Sequence, residues 1–241
     1  MSGTLYGIGV GPGAPDLITL RAYRLLTAVP VIAWPAPQGG DSFARSIVAG
    51  CIRADHVEIP IRVPMRTERF PAAEIYDRAA IEIAEHLDAG RDVAVLCEGD
   101  PFFYGSFMYL FQRLSDGYPF EIVPGVSSVM AGGAAIARPL AARNEVFSVI
   151  PAPLHDDRIE AQLGACEGAA IIKVGRHFGR VRALLGKLGL TGQSCYAERL
   201  TLETQKLVPL DAMTDDDAAP YFSMILVYRG GEGWPLPAPN R

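Results

Sequence analysis

The sequence predicts an α/β protein. Two observations carry that reading: short, almost unbroken apolar runs recur along the chain, and the stretches between them place apolar residues at helical spacing. Leu5 to Val10 is the first predicted strand and leads into glycine and proline. A helix is expected to start near Thr19, and Val31-Ile32-Ala33-Trp34-Pro35 reads as the second strand. Ile61 to Arg69 reads as an exposed loop of local positive charge, with Arg62, Arg66 and Arg69 between Pro60 and Pro71. Ile75, Ala79, Ile83 and Leu87 then recur every fourth residue and give one apolar helix face. Asp92 to Cys97 is nearly continuous in apolar residues, as expected of a strand covered on both faces. Phe103, Phe107, Leu110, Phe111 and Leu114 form another stripe, closed by Asp116-Gly117. Further strands are expected at Ala169 to Val174, around Cys195-Tyr196, and at Ser223 to Val227. Between them, Val181, Leu184, Leu185 and Leu188 make a helix face that Gly189 ends. All these stripes are read as core packing.

The expected division lies near Pro124-Gly125, giving one α/β domain over 1–122 and a second over 123–229. Three prolines and three glycines crowd residues 230–241, which predicts a frayed or extended tail. Of the 241 residues, 49% are apolar and 20% charged, which excludes a disordered chain. No run of about 18 apolar residues exists to span a membrane. The first residues lack the basic and apolar segments of a secretory leader. Cys51, Cys97, Cys166 and Cys195 have no paired spacing and read as reduced, buried residues of a cytoplasmic protein. A net charge of −5 without a concentrated basic run argues against nucleic-acid binding. His56, His86, His155 and His177 do not cluster, are expected at the surface or in loops, and predict no bound metal.

Four motifs carry chemistry. Gly7-Ile8-Gly9-Val10-Gly11-Pro12-Gly13-Ala14-Pro15-Asp16 nominally meets the dinucleotide fingerprint through Gly9, Gly11 and Ala14. Pro12 and Pro15 interrupt the turn, the helix starts late, and no acidic residue ends the second strand, so nicotinamide redox chemistry is disfavoured. A loop that lets a ligand approach the backbone accounts better for so many small residues. Glu98-Gly99-Asp100-Pro101-Phe102-Phe103-Tyr104-Gly105 follows a buried strand, where ligands of open α/β sheets collect. Asp100 is a candidate cap of the helix that follows. Val123-Pro124-Gly125-Val126-Ser127-Ser128 precedes Met130-Ala131-Gly132-Gly133-Ala134-Ala135, whose glycines each cost a helix about 1 kcal/mol and imply a close neighbour or ligand. Lys173-Val174-Gly175-Arg176 ends a further strand.

This ordered set resembles the tetrapyrrole methylases, the S-adenosylmethionine-dependent enzymes of corrin and sirohaem synthesis. The residues are Gly9-Val10-Gly11-Pro12-Gly13 with Asp16, Gly99-Asp100-Pro101, Val123-Pro124-Gly125 and Val227-Tyr228-Arg229, and they span nearly the whole chain. Glu98 to Phe107, Val126-Ser127-Ser128 and Lys173 to Arg176 are most similar to the branch that methylates carbon 20 of precorrin-2. Members acting on uroporphyrinogen carry Gly-Gly-Asp-Pro and a Thr-Ala pair instead, from which Glu98 and Ser127-Ser128 depart. The resemblance implies a two-domain α/β fold of the class III methyltransferases, a cleft between the domains and a homodimer. It implies that Pro12, Glu98, Gly99, Asp100, Phe103, Ser127, Ser128, Val174, Ala197 and Met224 hold S-adenosylmethionine, with S-adenosylhomocysteine as product. Tyr104, Arg62, Arg66 and Arg176 are candidates for the tetrapyrrole, whose many carboxylates need arginines in a net acidic chain. Arg69, Arg138 and Arg143 are further candidates for that role. No residue is assigned as catalytic, since an enamine-like meso carbon and a sulfonium methyl need positioning above all. A cobalt-loaded substrate, another ring position, a tetrapyrrole carrier and a nicotinamide enzyme are the alternatives.

Overall fold

The computed structural model describes residues 1–63 and 70–230, with side chains for all but residues 70–72. Arg66 and Arg69 lie outside the described residues, as does the tail from residue 231. Two compact units divide the chain, Met1–Ser127 and Ser128–Arg241.

The first unit is built on β1 (Leu5–Gly9), β2 (Val31–Pro37), β3 (Val57–Val63), β4 (Val93–Cys97) and β5 (Phe120–Val123), with α1 (Leu20–Ala28), α2 (Phe43–Ile47), α3 (Phe70–Asp88) and α4 (Phe107–Leu114) between them. The strands lie in the order β3-β2-β4-β1-β5 and every pairing is parallel. A parallel sheet needs cover on both faces, and β4 shows how the sequence supplies it. Val93, Val95 and Cys97 pack with Ile83, Leu87, Phe107 and Leu110 of α3 and α4. Ala94 and Leu96 pack on the opposite side with Ala22, Leu26, Ala44 and Ile47 of α1 and α2. Each valine, leucine, isoleucine or phenylalanine removed from water in these contacts contributes about 1.5–3 kcal/mol. α1 starts directly after Thr19, as expected, and the Thr19 hydroxyl caps it, accepting from the Ala22 amide at 3.2 Å.

The second unit holds α5 (Ser128–Ala135), β6 (Phe147–Pro151), α6 (Asp156–Gly164), β7 (Gly168–Ile172), α7 (Phe178–Lys187), β8 (Ser194–Glu198), β9 (Lys206–Pro209) and β10 (Ser223–Tyr228). Its sheet, β6-β7-β10-β8-β9, is mixed: β6 and β7 are parallel, while β10 runs antiparallel to both β7 and β8. One face packs against α6 and α7 through Ile159, Val181 and Leu185, the other against α5 through Val129. The glycines of α5 serve that packing. A β-carbon on Gly132 would sit 3.0 Å from Leu226, and one on Gly133 would sit 2.8 Å from Leu140.

Several expectations are corrected. Ile61 to Val63 belong to β3 rather than to a loop, with Ile61 buried. Phe103 precedes α4 and is exposed, so the apolar stripe starts at Phe107. Cys51 is half-exposed whereas the other three cysteines are buried. His56 lies in the loop before β3, as expected, yet is buried there, its Nδ1 accepting from the Arg53 amide at 3.0 Å. Among the described residues no helix is long and apolar enough to cross a membrane.

Candidate active site

Because β4, β1 and β5 are parallel neighbours, their carboxyl ends emerge side by side. Three of the four motifs begin there. The backbone joins them directly: Gly99 donates to the Gly11 carbonyl at 2.8 Å, and Gly11 returns a bond to Gly99 at 3.3 Å. Gly9 and Gly125 come closer still. A β-carbon on Gly9 would lie 2.5 Å from the Gly125 nitrogen, and one on Gly125 would lie 2.0 Å from the Gly99 carbonyl oxygen. These two glycines are therefore required by the approach of one loop to another, not by a ligand. Gly11 and Gly99 are required for a different reason, with φ of 84° and 63°. The missing side chain of Gly99 would meet nothing nearer than 3.8 Å, so its backbone remains open to a small molecule.

Asp100 locks this arrangement. One carboxylate oxygen accepts from the amides of Phe102 at 2.9 Å and Phe103 at 3.2 Å; the other accepts from Gly125 at 3.1 Å. The expected helix cap is absent, because α4 starts at Phe107 behind Ser106 and Asp100 is spent on the turn. Pro12 is buried beside Gly11, while Glu98 closes β4. The Glu98 carboxyl is largely withdrawn from water, with the amides of Glu98 itself and of Ala44 in α2 nearby. Burial raises its affinity for a proton above the ordinary carboxylate range, and those backbone amides offset the rise only in part. After the turn, Phe102, Phe103 and Tyr104 expose their rings, with Phe103 and Tyr104 edge to face at 5.1 Å. Tyr104 holds φ at 58°, a left-handed conformation that costs an L-residue roughly 1–2 kcal/mol. Ser127 ends this unit, its Cα within 3.8 Å of the position a Gly99 β-carbon would take.

The second unit gathers its own set at the carboxyl ends of β7 and β8 and the start of β10. Met224 stands opposite both Ile172 and Ala197 in the sheet register. The side chains of Ala197 and Met224 are buried on the α5 face, and that of Val174 is buried on the opposite face. What these residues can offer a ligand is backbone. Ser128 opens α5 and is half-buried. Tyr196 donates to the Glu198 carboxylate at 2.6 Å inside the core, which pushes the phenol well above its usual range after burial has already raised it.

The described candidate arginines divide between the two units, Arg62 in the first and Arg138, Arg143 and Arg176 in the second. Arg62 donates to the carbonyls of Gly40 at 2.6 Å and Pro37 at 3.4 Å, which ties the turn after β2. Arg176 is exposed after β7, beside His177. Arg138 lies over the Tyr228 ring at 4.4 Å, and Arg143 holds φ at 51°. Sequence reasoning missed the left-handed Lys173, Arg199 and Thr201, because no residue signal announces that conformation outside glycine and asparagine. The adjacent aromatic pair Tyr221-Phe222 directly precedes β10 and is legible in the sequence.

Residues 4–213 match the family of tetrapyrrole (corrin/porphyrin) methylases. A precorrin-2 C(20)-methyltransferase of Sinorhizobium sp is 37% identical over 240 residues, covering 96% of either chain. A cobalt-precorrin-2 C(20)-methyltransferase of Salmonella typhimurium is 32% identical, covering 96% of this chain and 99% of that one. The solved uroporphyrin-III C-methyltransferase of Thermus thermophilus, complexed with S-adenyl homocysteine, aligns with a TM-score of 0.67 and 24% identity, covering 93% of this chain and 97% of that one. A match over most of the chain, two relatives above 30% identity and a shared α/β architecture agree: the chain belongs to the tetrapyrrole (corrin/porphyrin) methylases.

Proposed function

We propose that this protein transfers the methyl group of S-adenosylmethionine to carbon 20 of precorrin-2, giving precorrin-3A in cobalamin synthesis. The observation that carries the reading is the near end-to-end kinship with two relatives that both bear a carbon-20 methyltransferase name. The meso carbon attacks the sulfonium methyl in line, the carbon–sulfur bond breaks, and S-adenosylhomocysteine leaves as a thioether. Loss of the proton from carbon 20 restores conjugation. Both reactants are already matched in polarity, so holding them in line supplies much of the rate, with effective molarities of about 10⁵–10⁸ M in favourable cases.

The residues assigned to the cofactor are Pro12, Glu98, Gly99, Asp100, Phe103 and Ser127 in the first unit, and Ser128, Val174, Ala197 and Met224 in the second. A donor held by backbone groups suits them. Gly99 is open on its missing side chain, and the buried side chains of Val174, Ala197 and Met224 leave only main-chain atoms to offer. Tyr104, Arg62, Arg66 and Arg176 are assigned to the tetrapyrrole. The chain works as a homodimer in the cytoplasm, a state that light scattering on the purified protein tests directly.

The decisive experiment supplies metal-free and cobalt-containing precorrin-2 with methyl-labelled S-adenosylmethionine and locates the label by carbon NMR. Label at carbon 20 of the metal-free substrate is expected. Preference for the cobalt form would move the protein to the second reading, which the Salmonella relative favours. Label at another carbon would retain the family and overturn the position.

A further inference from the structure

The second unit carries an edge that the cofactor assignment leaves unused. Lys173 follows β7 directly, Arg199 follows β8 directly, and both strands flank β10. The register fixes their neighbourhood: Ile172 faces Met224 from one side and Glu198 faces Ser223 from the other. Tyr221 and Phe222 immediately precede those β10 residues, and the Arg199 amide bonds the Phe222 carbonyl at 3.0 Å. Two basic residues thus bracket an aromatic pair at one end of one sheet. Arg176 stands three residues beyond Lys173.

Two features mark the edge as more than ordinary surface. Lys173, Arg199 and Thr201 all hold left-handed backbone, with φ of 58°, 49° and 69°. Such conformations are unfavourable for side-chain-bearing residues and collect at functional sites. Tyr221 and Phe222 leave 62% and 43% of their surface in water, edge to face at 5.1 Å. Beneath them, Tyr196 and Glu198 form a buried hydrogen bond, and Ser223 donates to the Pro220 carbonyl at 2.6 Å. Glu198 reaches the Arg199 guanidinium only at 3.7 Å, beyond hydrogen-bond length, so that pair is loose. A rigid floor therefore supports strained cations and exposed rings.

We propose that Lys173, Arg176 and Arg199, with Tyr221 and Phe222, form a reading surface for a flat polycarboxylate, the rings meeting the macrocycle and the cations its carboxylate arms. The proposal rests on the assignment of precorrin-2 as substrate. Charge complementarity argues for this occupant: the chain is net acidic at −5, so a polyanion needs a local cationic landing. The strain follows too, since glycine would fit those backbones and would forfeit the charge.

The test uses the full-length protein and uroporphyrin III, a stable octacarboxylate, as a fluorescent probe. In Lys173→Asn/Arg199→Asn the backbone remains comfortable, because asparagine tolerates left-handed φ, while both charges are lost. Porphyrin affinity is expected to fall about tenfold, the scale of one charge-assisted hydrogen bond, and KM for precorrin-2 to rise in step with kcat kept. S-adenosylhomocysteine affinity and melting temperature should hold or improve. Arg199→Lys should retain most of the porphyrin affinity. Unchanged porphyrin binding in the double variant overturns the surface. Loss of S-adenosylhomocysteine affinity in step assigns the edge to the cofactor instead, and dissociation of an oligomer assigns it to a second copy. A parent protein that binds porphyrin here and does not methylate precorrin-2 keeps the surface and overturns the reaction.

Discussion

The strand-end loops of the two units solve the same problem differently. In the first unit, the left-handed positions nearest the strands belong to Gly11 and Gly99, and the loops press together backbone to backbone through Gly9 and Gly125. In the second, Lys173, Arg199 and Thr201 take left-handed φ and keep their side chains. The difference separates two uses of small residues. One region gives up side chains for proximity of main chain; the other keeps its side chains on left-handed backbone.

Substitutions can break this comparison, starting with the largest effect. Gly125→Ala places a β-carbon 2.0 Å from a fixed carbonyl oxygen, and a loss of about 3 kcal/mol in unfolding free energy is expected by denaturant titration. A melt unchanged from the parent would show that these loops can part freely. Asp100→Ala removes three backbone bonds at once and is expected to cost about 2 kcal/mol, with S-adenosylhomocysteine affinity falling in calorimetry. Asp100→Asn sharpens the point. Its remaining oxygen can still accept from Phe102 and Phe103, whereas its amide cannot accept from Gly125, so cofactor affinity should lie between alanine and parent.

Gly99→Ala isolates the conformational term, because space is open there and only φ objects. A cost of roughly 1–2 kcal/mol is expected, below that of Gly125→Ala. The reverse order of those two variants would mean that backbone angle, not contact, governs the edge. The smallest effect concerns pH. The Glu98 carboxyl binds its proton more tightly folded than unfolded, so the stabilisation this confers is complete below the unfolded value of 4.5 and is lost as pH rises through the higher folded value. Glu98→Gln should therefore melt about 1–2 °C above the parent at pH 7, and that gap should close as the pH is lowered toward 4.5. A gap independent of pH would exclude titration of Glu98 as its cause.

How much of this was legible divides along the sheets themselves. The strands delimited from residues alone, β1, β2, β4, β7, β8 and β10, are the six interior strands. Buried on both faces, they write themselves as nearly unbroken apolar runs, β8 only over Cys195–Ala197. The other four, β3, β5, β6 and β9, are the sheet edges, half-exposed, and β3 carries Pro60, which an edge position tolerates, as β2 tolerates Pro35 and Pro37 beyond its pairing with β4. The motifs at strand ends were legible for the same reason as the interior strands. Their joining was not: Asp100 to Gly125 spans 25 residues, and Gly9 meets Gly125 across more than a hundred. No local pattern encodes a meeting at that separation. The helix-capping reading of Asp100 failed because the turn captured its carboxylate first.

The place of β10 has a consequence for synthesis. In the first sheet every strand has been translated by Val123, so that unit can close while the rest of the chain is still emerging from the ribosome. In the second, the strand that joins β7 to β8 is made last, at Ser223–Tyr228. Until then β7 and β8 each wait with a bare hydrogen-bonding flank. Nascent chains arrested before Ser223 should accordingly engage chaperones and be cut by protease within the second half only.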